Sequence, residues 1–159
     1  MHGFLVPRQF FITSGVAHDG SSLLNAFDLA LEDAKITQCN LVEVSSILPP
    51  ESEEIQPIDI PAGAITFCVM ARMAGTLGER IGAGLAWAWG ELPDGNRYGI
   101  VAEHHGNSAE AEIERMLKVK IDRMAEVRDL RTFSSQTRVV STVCEGNYGC
   151  VVSVLVYVP

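Results

Sequence analysis

Positive charge is in short supply: 12 lysines and arginines stand against 20 aspartates and glutamates in 159 residues, a net charge of −8. Neither a nucleic-acid backbone nor an anionic membrane is expected as a main partner, because each needs a basic surface to neutralise it. Cysteine is sparse as well. Cys39, Cys68, Cys144 and Cys150 contain no C-x-x-C pair, so the usual zinc-knuckle and dithiol spacings are excluded, and so few cysteines do not build a disulfide scaffold. No apolar run has transmembrane length. The opening "MHGFLVPRQFF" has no cationic segment ahead of its apolar residues. A secretory leader is not expected, and the reading is a soluble cytoplasmic protein with reduced thiols. A P-loop, a G-x-G-x-x-G opening a helix, H-E-x-x-H and G-x-S-x-G are all missing.

What is present describes a folded chain. Hydrophobic residues make up 47% and charged residues 20%, a globular balance. The length suits one domain that removes roughly two thirds of its unfolded surface from water.

The apolar periodicity predicts a strand at 8–15, a turn at 17–22 and a helix at 22–35 capped by Ser21 or Ser22. A strand at 40–46 precedes a Pro- and acid-rich loop at 49–62 and a buried strand at 63–72. In the strand "RIGAGLAWAWG", Ile81, Leu85, Trp87 and Trp89 share one parity, while Gly82, Gly84, Ala86 and Ala88 share the other. The second face is nearly bare and invites close approach of another backbone, a sheet or a ligand. An Asp-Gly hairpin turn leads to a strand at 98–106, then a helix at 108–130 opened by Ser108, and a strand pair at 137–144 and 149–158. Strands that are mostly sequence neighbours favour an α+β, layered fold over a doubly wound parallel sheet.

Several side chains carry chemistry. In "LVEVSSILPPE", Ser45 and Ser46 end an apolar strand just before Pro49 and Pro50, which cannot continue a sheet ladder. Glu103 ends an apolar strand, where desolvation can raise a carboxyl enough to donate a proton near neutral pH. The adjacent His104 and His105 point to opposite faces of a strand and are a poor joint metal site. Asp28 borders the apolar stripe of the first helix, where a carboxylate can take a guanidinium in a bidentate pair. Asn40 either begins a strand or directs its amide toward a carbonyl near the serine pair.

Together "LLNAFDLALEDAKI", "NLVEVSSILPPE", "PAGAITFCVMAR", "GERIGAGLAWA", "GIVAEHHG" and "GCVVSVLVY" resemble, in order and over nearly the whole chain, the pyruvoyl-dependent arginine decarboxylases. The resemblance implies a layered αββα sandwich in a single domain, 1–159, cut by its own chemistry into a 1–45 β chain and a 46–159 α chain. The Ser46 hydroxyl would attack the Ser45 carbonyl, and β-elimination would leave a pyruvoyl group at position 46. That group would form a Schiff base with the substrate amine and accept electrons as CO₂ leaves, with no pyridoxal phosphate and no metal. By the same resemblance Asp28 binds the guanidinium of L-arginine, Asn40 lies beside the cleavage and binding site, and Glu103 protonates the carbanion to give agmatine. The assembly implied is a homotrimer with active sites at subunit contacts. Glu43, where a basic residue is usual, and His104-His105, in place of a tyrosine-acid pair, depart from the family pattern. Two alternatives stay open: a pyruvoyl decarboxylase for another amino acid such as histidine, and an uncut, non-enzymatic trimeric binding protein.

Overall fold

The computed structural model describes residues 3–159. In chain order the elements are β1 (Gln9–Asp19), α1 (Leu23–Asp33), β2 (Asn40–Glu43), β3 (Ile47–Leu48), β4 (Glu53–Glu54), β5 (Ile65–Thr76), β6 (Arg80–Glu91), β7 (Arg97–Gly106), α2 (Glu110–Val127), β8 (Arg131–Val143) and β9 (Tyr148–Val158). One sheet runs β2-β5-β9-β1-β4 and the other β3-β7-β6-β8. Pairing is antiparallel except for β1 with β4 and β2 with β5.

The strand periodicity puts one face of each sheet toward the other. Phe10, Val69, Leu85, Trp87, Val101 and Leu155 meet in the core between the sheets. The opposite faces receive helices. Ala26, Ala30 and Leu31 of α1 pack on Val152, Val154 and Val156 of β9, while Ile113, Leu117 and Ile121 of α2 pack on Ala86, Ala88, Ile100 and Ala102. The result is an α+β sandwich in four layers, αββα.

The bare face of β6 is the seat of α2. A Cβ built on Gly82 would lie 2.9 Å from the Ser108 carbonyl oxygen, and one on Gly84 would lie 2.9 Å from Leu117 Cδ1. Only glycine lets the helix come this close. The occupant that the sequence left open is therefore a helix.

Local signals act as expected in several places. Ser22 caps α1, its hydroxyl accepting the Asn25 N–H at 3.0 Å. Lys35, with φ 64°, closes α1 as the Ile36 N–H reaches the Leu31 carbonyl at 3.0 Å, the Schellman arrangement. Several boundaries differ from the sequence reading. β1 continues to Asp19, through half of the turn expected at 17–22, because it stays paired with β9 as far as Tyr148, and β5 continues to Thr76 for the same reason. Ser108 does not cap α2: Ala109 holds that position without a side-chain bond, and the Ser108 carbonyl instead accepts the Ser141 hydroxyl at 3.2 Å. β8 begins at Arg131 because its polar first half, though solvent-exposed, still pairs with β6. The strand expected at 40–46 stops at Glu43, and Ser45 and Ser46 lie outside it.

Candidate active site

β2 and β3 are edge strands of different sheets on the same side of the sandwich. The chain crosses from one sheet to the other through Val44, Ser45 and Ser46. Each side of this link is anchored. The Val44 N–H donates to the Cys68 carbonyl of β5 at 2.9 Å, and the Val101 N–H of β7 donates to the Ser46 carbonyl at 3.0 Å. Leu48, fully buried between the sheets, fixes the far end, and Pro49 then stops the ladder. The crossing is tight: the Ile47 N–H donates to the Ser45 carbonyl oxygen at 3.1 Å, a three-residue turn centred on Ser46. This backbone donor polarises the carbonyl that joins the two serines. Ser45 is exposed and Ser46 half-buried.

Ser46 shares a surface cleft with Glu103, Lys120, Arg123 and Met124. Glu103 stands on β7 opposite Leu85, beyond the stretch that pairs with β3. Burial, and then the charge of Glu43, raises its carboxyl above the ordinary value, while Lys120 and His105 oppose the rise. Glu103 is nonetheless solvent-exposed in the single chain, and a carboxyl whose proton affinity is raised in this way is suited to general-acid work. Lys120 Nζ donates to the Glu103 carbonyl oxygen at 2.9 Å and ties α2 to this end of β7. His104 is lowered by burial and by the nearby Lys120 and His105.

One chain thus brings Ser45, Ser46, Glu43 and Glu103 to a single edge. The other two candidates are engaged elsewhere. Asp28 is exposed on α1, outside the β2–β9 sheet, and its Oδ1 accepts the Thr37 hydroxyl at 2.9 Å. The Asn40 amide donates to the Gly63 carbonyl at 2.8 Å and clamps the turn before β5. Among the described residues no group of histidine, cysteine, aspartate and glutamate side chains is placed to hold a metal ion, and no helix is long and apolar enough to cross a membrane.

Two side chains that bond to the backbone around this edge went unread in the sequence. Lys120 looks like any solvated residue of α2. Tyr157 lies on the inward face of β9 with Val151, Ser153 and Leu155 and reads as core; its hydroxyl crosses to the other sheet and donates to the Ile47 carbonyl at 2.8 Å. Alternation of side chains predicts the inward face but not this reach.

Comparison with known proteins agrees with the geometry. A family model described as pyruvoyl-dependent arginine decarboxylase matches residues 9–159. A "Pyruvoyl-dependent arginine decarboxylase" of Methanopyrus kandleri is 36% identical over 140 residues, covering 86% of this chain and 87% of its own. A "Pyruvoyl-dependent arginine decarboxylase 2" of Archaeoglobus fulgidus is 37% identical over 146 residues, 84% and 88% of the two chains. A "Probable pyruvoyl-dependent arginine decarboxylase" of Chloroherpeton thalassium is 43% identical over 115 residues, covering 67% of this chain; the match spans 60% of that relative's length. The matched span takes in both sheets, both helices and the Ser45–Ser46 link, and the chain belongs to the pyruvoyl-dependent arginine decarboxylase family.

Proposed function

We propose that this chain is a proenzyme, one domain over 1–159, that cuts itself between Ser45 and Ser46 and then decarboxylates L-arginine to agmatine and CO₂. The observation that carries the proposal is the anchored, polarised crossing at Ser45–Ser46, with its hydroxyl-bearing residue in one cleft with Glu103.

The cleavage needs no outside reagent except water. Ser46 Oγ adds to the Ser45 carbonyl carbon; the C–N bond breaks, the nitrogen takes up a proton, and an ester joins Ser45 to Oγ. Loss of the Ser46 Cα proton then breaks the Cβ–Oγ bond and frees the Ser45 carboxylate. The dehydroalanine left at position 46 tautomerises to an imine, and water releases ammonia and leaves a ketone. The Ile47 N–H, already on the Ser45 oxygen, supports the negative charge that develops there.

A pyruvoyl group at position 46 fits the surroundings. It is smaller than the serine amide it replaces, and the Val101 bond to the residue 46 carbonyl does not depend on the lost peptide. When formed, such a group supplies an electron sink for the pair left by departing CO₂. Glu103 gives its proton to the carbon that lost CO₂. Asp28 serves from a neighbouring copy in a homotrimer, pairing with the guanidinium, and Asn40 borders the site while its amide holds the Gly63 turn.

Intact mass under denaturing conditions tests the cleavage. Wild type should give fragments 1–45 and 46–159, the larger one blocked to Edman sequencing and unblocked by reductive amination. Ser46→Ala should stay whole. Cleavage of Ser46→Ala overturns the mechanism, and wild type that prefers lysine, ornithine or histidine over arginine overturns the substrate.

A further inference from the structure

We infer that Tyr157 is a positioning residue for self-cleavage, holding Ile47 so that its N–H stays on the Ser45 carbonyl oxygen while Ser46 Oγ attacks. The inference rests on the cleavage proposed above and adds a residue that acts on it from the other sheet.

The geometry is a short relay. The attack converts the planar Ser45 carbonyl to a tetrahedral centre and puts negative charge on its oxygen. The donor that meets this charge is the Ile47 N–H at 3.1 Å. A donor helps only if it is already in place, because reorienting it during the reaction removes the gain. Two bonds hold the residue that carries it. The Val101 N–H grips the Ser46 carbonyl at 3.0 Å and so sets the plane of the 46–47 peptide that contains the donor. The Tyr157 hydroxyl grips the Ile47 carbonyl at 2.8 Å and sets the next plane. Only the second bond comes from a side chain.

Tyr157 is built for this. Its ring is 6% exposed and lies in the core between the sheets, with Phe10, Val69 and Leu155 among the members of that cluster. β9 is the central strand of its sheet, paired with β1 on one side and β5 on the other. The hydroxyl therefore extends from a strand paired on both sides to the two-residue edge strand that follows the crossing. Burial, reinforced by the nearby Cys68, pushes the phenol up to about 12, so it remains a donor across any working pH. β3 has two residues and two register pairs; without the tyrosine bond, its backbone alone would resist rotation of Ile47.

The test compares cleavage rates in pulse-labelled protein on denaturing gels. Tyr157→Phe keeps the ring and removes the hydroxyl. Its cleavage should slow on the order of tenfold to a hundredfold, in line with the cost of about 1 Å of misplacement, while its far-UV spectrum stays native. Hydroxylamine should not restore cleavage, because the ester it attacks forms slowly. Fast scission by hydroxylamine would place the defect in the later elimination and overturn the inference. A second measurement decides the matter even where the phenylalanine variant does not fold. Tetrafluorotyrosine at position 157 keeps the shape but ionises well below the ordinary tyrosine range; Cys68, itself raised to about 12 by burial, stays neutral there. Cleavage of the fluorinated protein should fall as pH rises, with no such fall in wild type, and a purely structural role for the ring gives no such dependence. Equal rates for wild type and Tyr157→Phe, or parallel pH profiles, overturn the inference and leave self-cleavage standing. Wild type that is never cut overturns both.

Discussion

Replacing Gly84 with alanine tests whether a bare strand face is what lets α2 sit over β6 and carry Lys120 to the Glu103 end of the cleft. An alanine Cβ would fall 2.9 Å from Leu117 Cδ1, 2.9 Å from Val139 Cγ2 and 3.0 Å from the Arg138 carbonyl oxygen. Leu117 is fully buried and cannot swing into water. The Arg138 carbonyl is held in turn by the Ser153 hydroxyl at 3.1 Å. Overpacking of this kind costs about 1–3 kcal/mol, and the lower entropy of the unfolded alanine chain returns about 0.4–1 kcal/mol. At the midpoints of these ranges the net loss is about 1.3 kcal/mol, which at roughly 2–4 °C per kcal/mol lowers the melting temperature by about 3–5 °C. Gly106 is the control. Its Cβ would meet Ile113 Cδ1 and Ser108 Oγ at 3.8 Å, ordinary contact, so Gly106→Ala should raise the melting temperature by about 1–4 °C. Far-UV circular dichroism melts at one protein concentration, on the uncut Ser46→Ala background, measure both. A Gly84→Ala protein that melts as high as its parent refutes the packing argument.

Glu103→Gln should slow turnover by about 10²- to 10⁴-fold, the usual range for a lost general acid, and near-normal kcat removes Glu103 from the mechanism. The same change should stabilise the fold at neutral pH. The folded carboxyl binds its proton more tightly than the unfolded one, so wild-type stability falls as pH rises from the ordinary carboxylate range through the raised folded value; the glutamine variant should lack that fall in a melting-temperature series. Glu43→Gln removes a charge that holds Glu103 up, so the high-pH limb of the activity profile should move to lower pH; an unmoved limb breaks the link. Asp28, exposed in the single chain, pairs with arginine only where the neighbouring copy of the proposed trimer covers it, so Asp28→Asn should lose arginine kcat/KM by roughly 30- to several-thousand-fold, the kinetic equivalent of about 2–5 kcal/mol for a charged pair that loses one partner once desolvated, and undiminished arginine turnover excludes Asp28 from the substrate site.

What the sequence by itself determined is local. The parity of β6, the Ser22 cap and the helical spacing of α1 and α2 are periodic or short-range features, and each element forms where its pattern lies. Glu103 and the serine pair were legible because residue type and neighbours suffice to name them. Tertiary structure decided what lies across a gap. Only the sheet order shows that β2 and β3 end on one side, so that Ser45–Ser46 becomes a crossing rather than the tail of a strand. Only packing shows that α2 fills the bare face of β6, or that a tyrosine 110 residues away in sequence grips the Ile47 carbonyl. It also shows that the Asn40 amide is committed to Gly63 within its own chain. A side chain's type limits the bonds it can make, whereas its partner is set by which backbones the core brings within about 3 Å, and a linear pattern does not encode that distance.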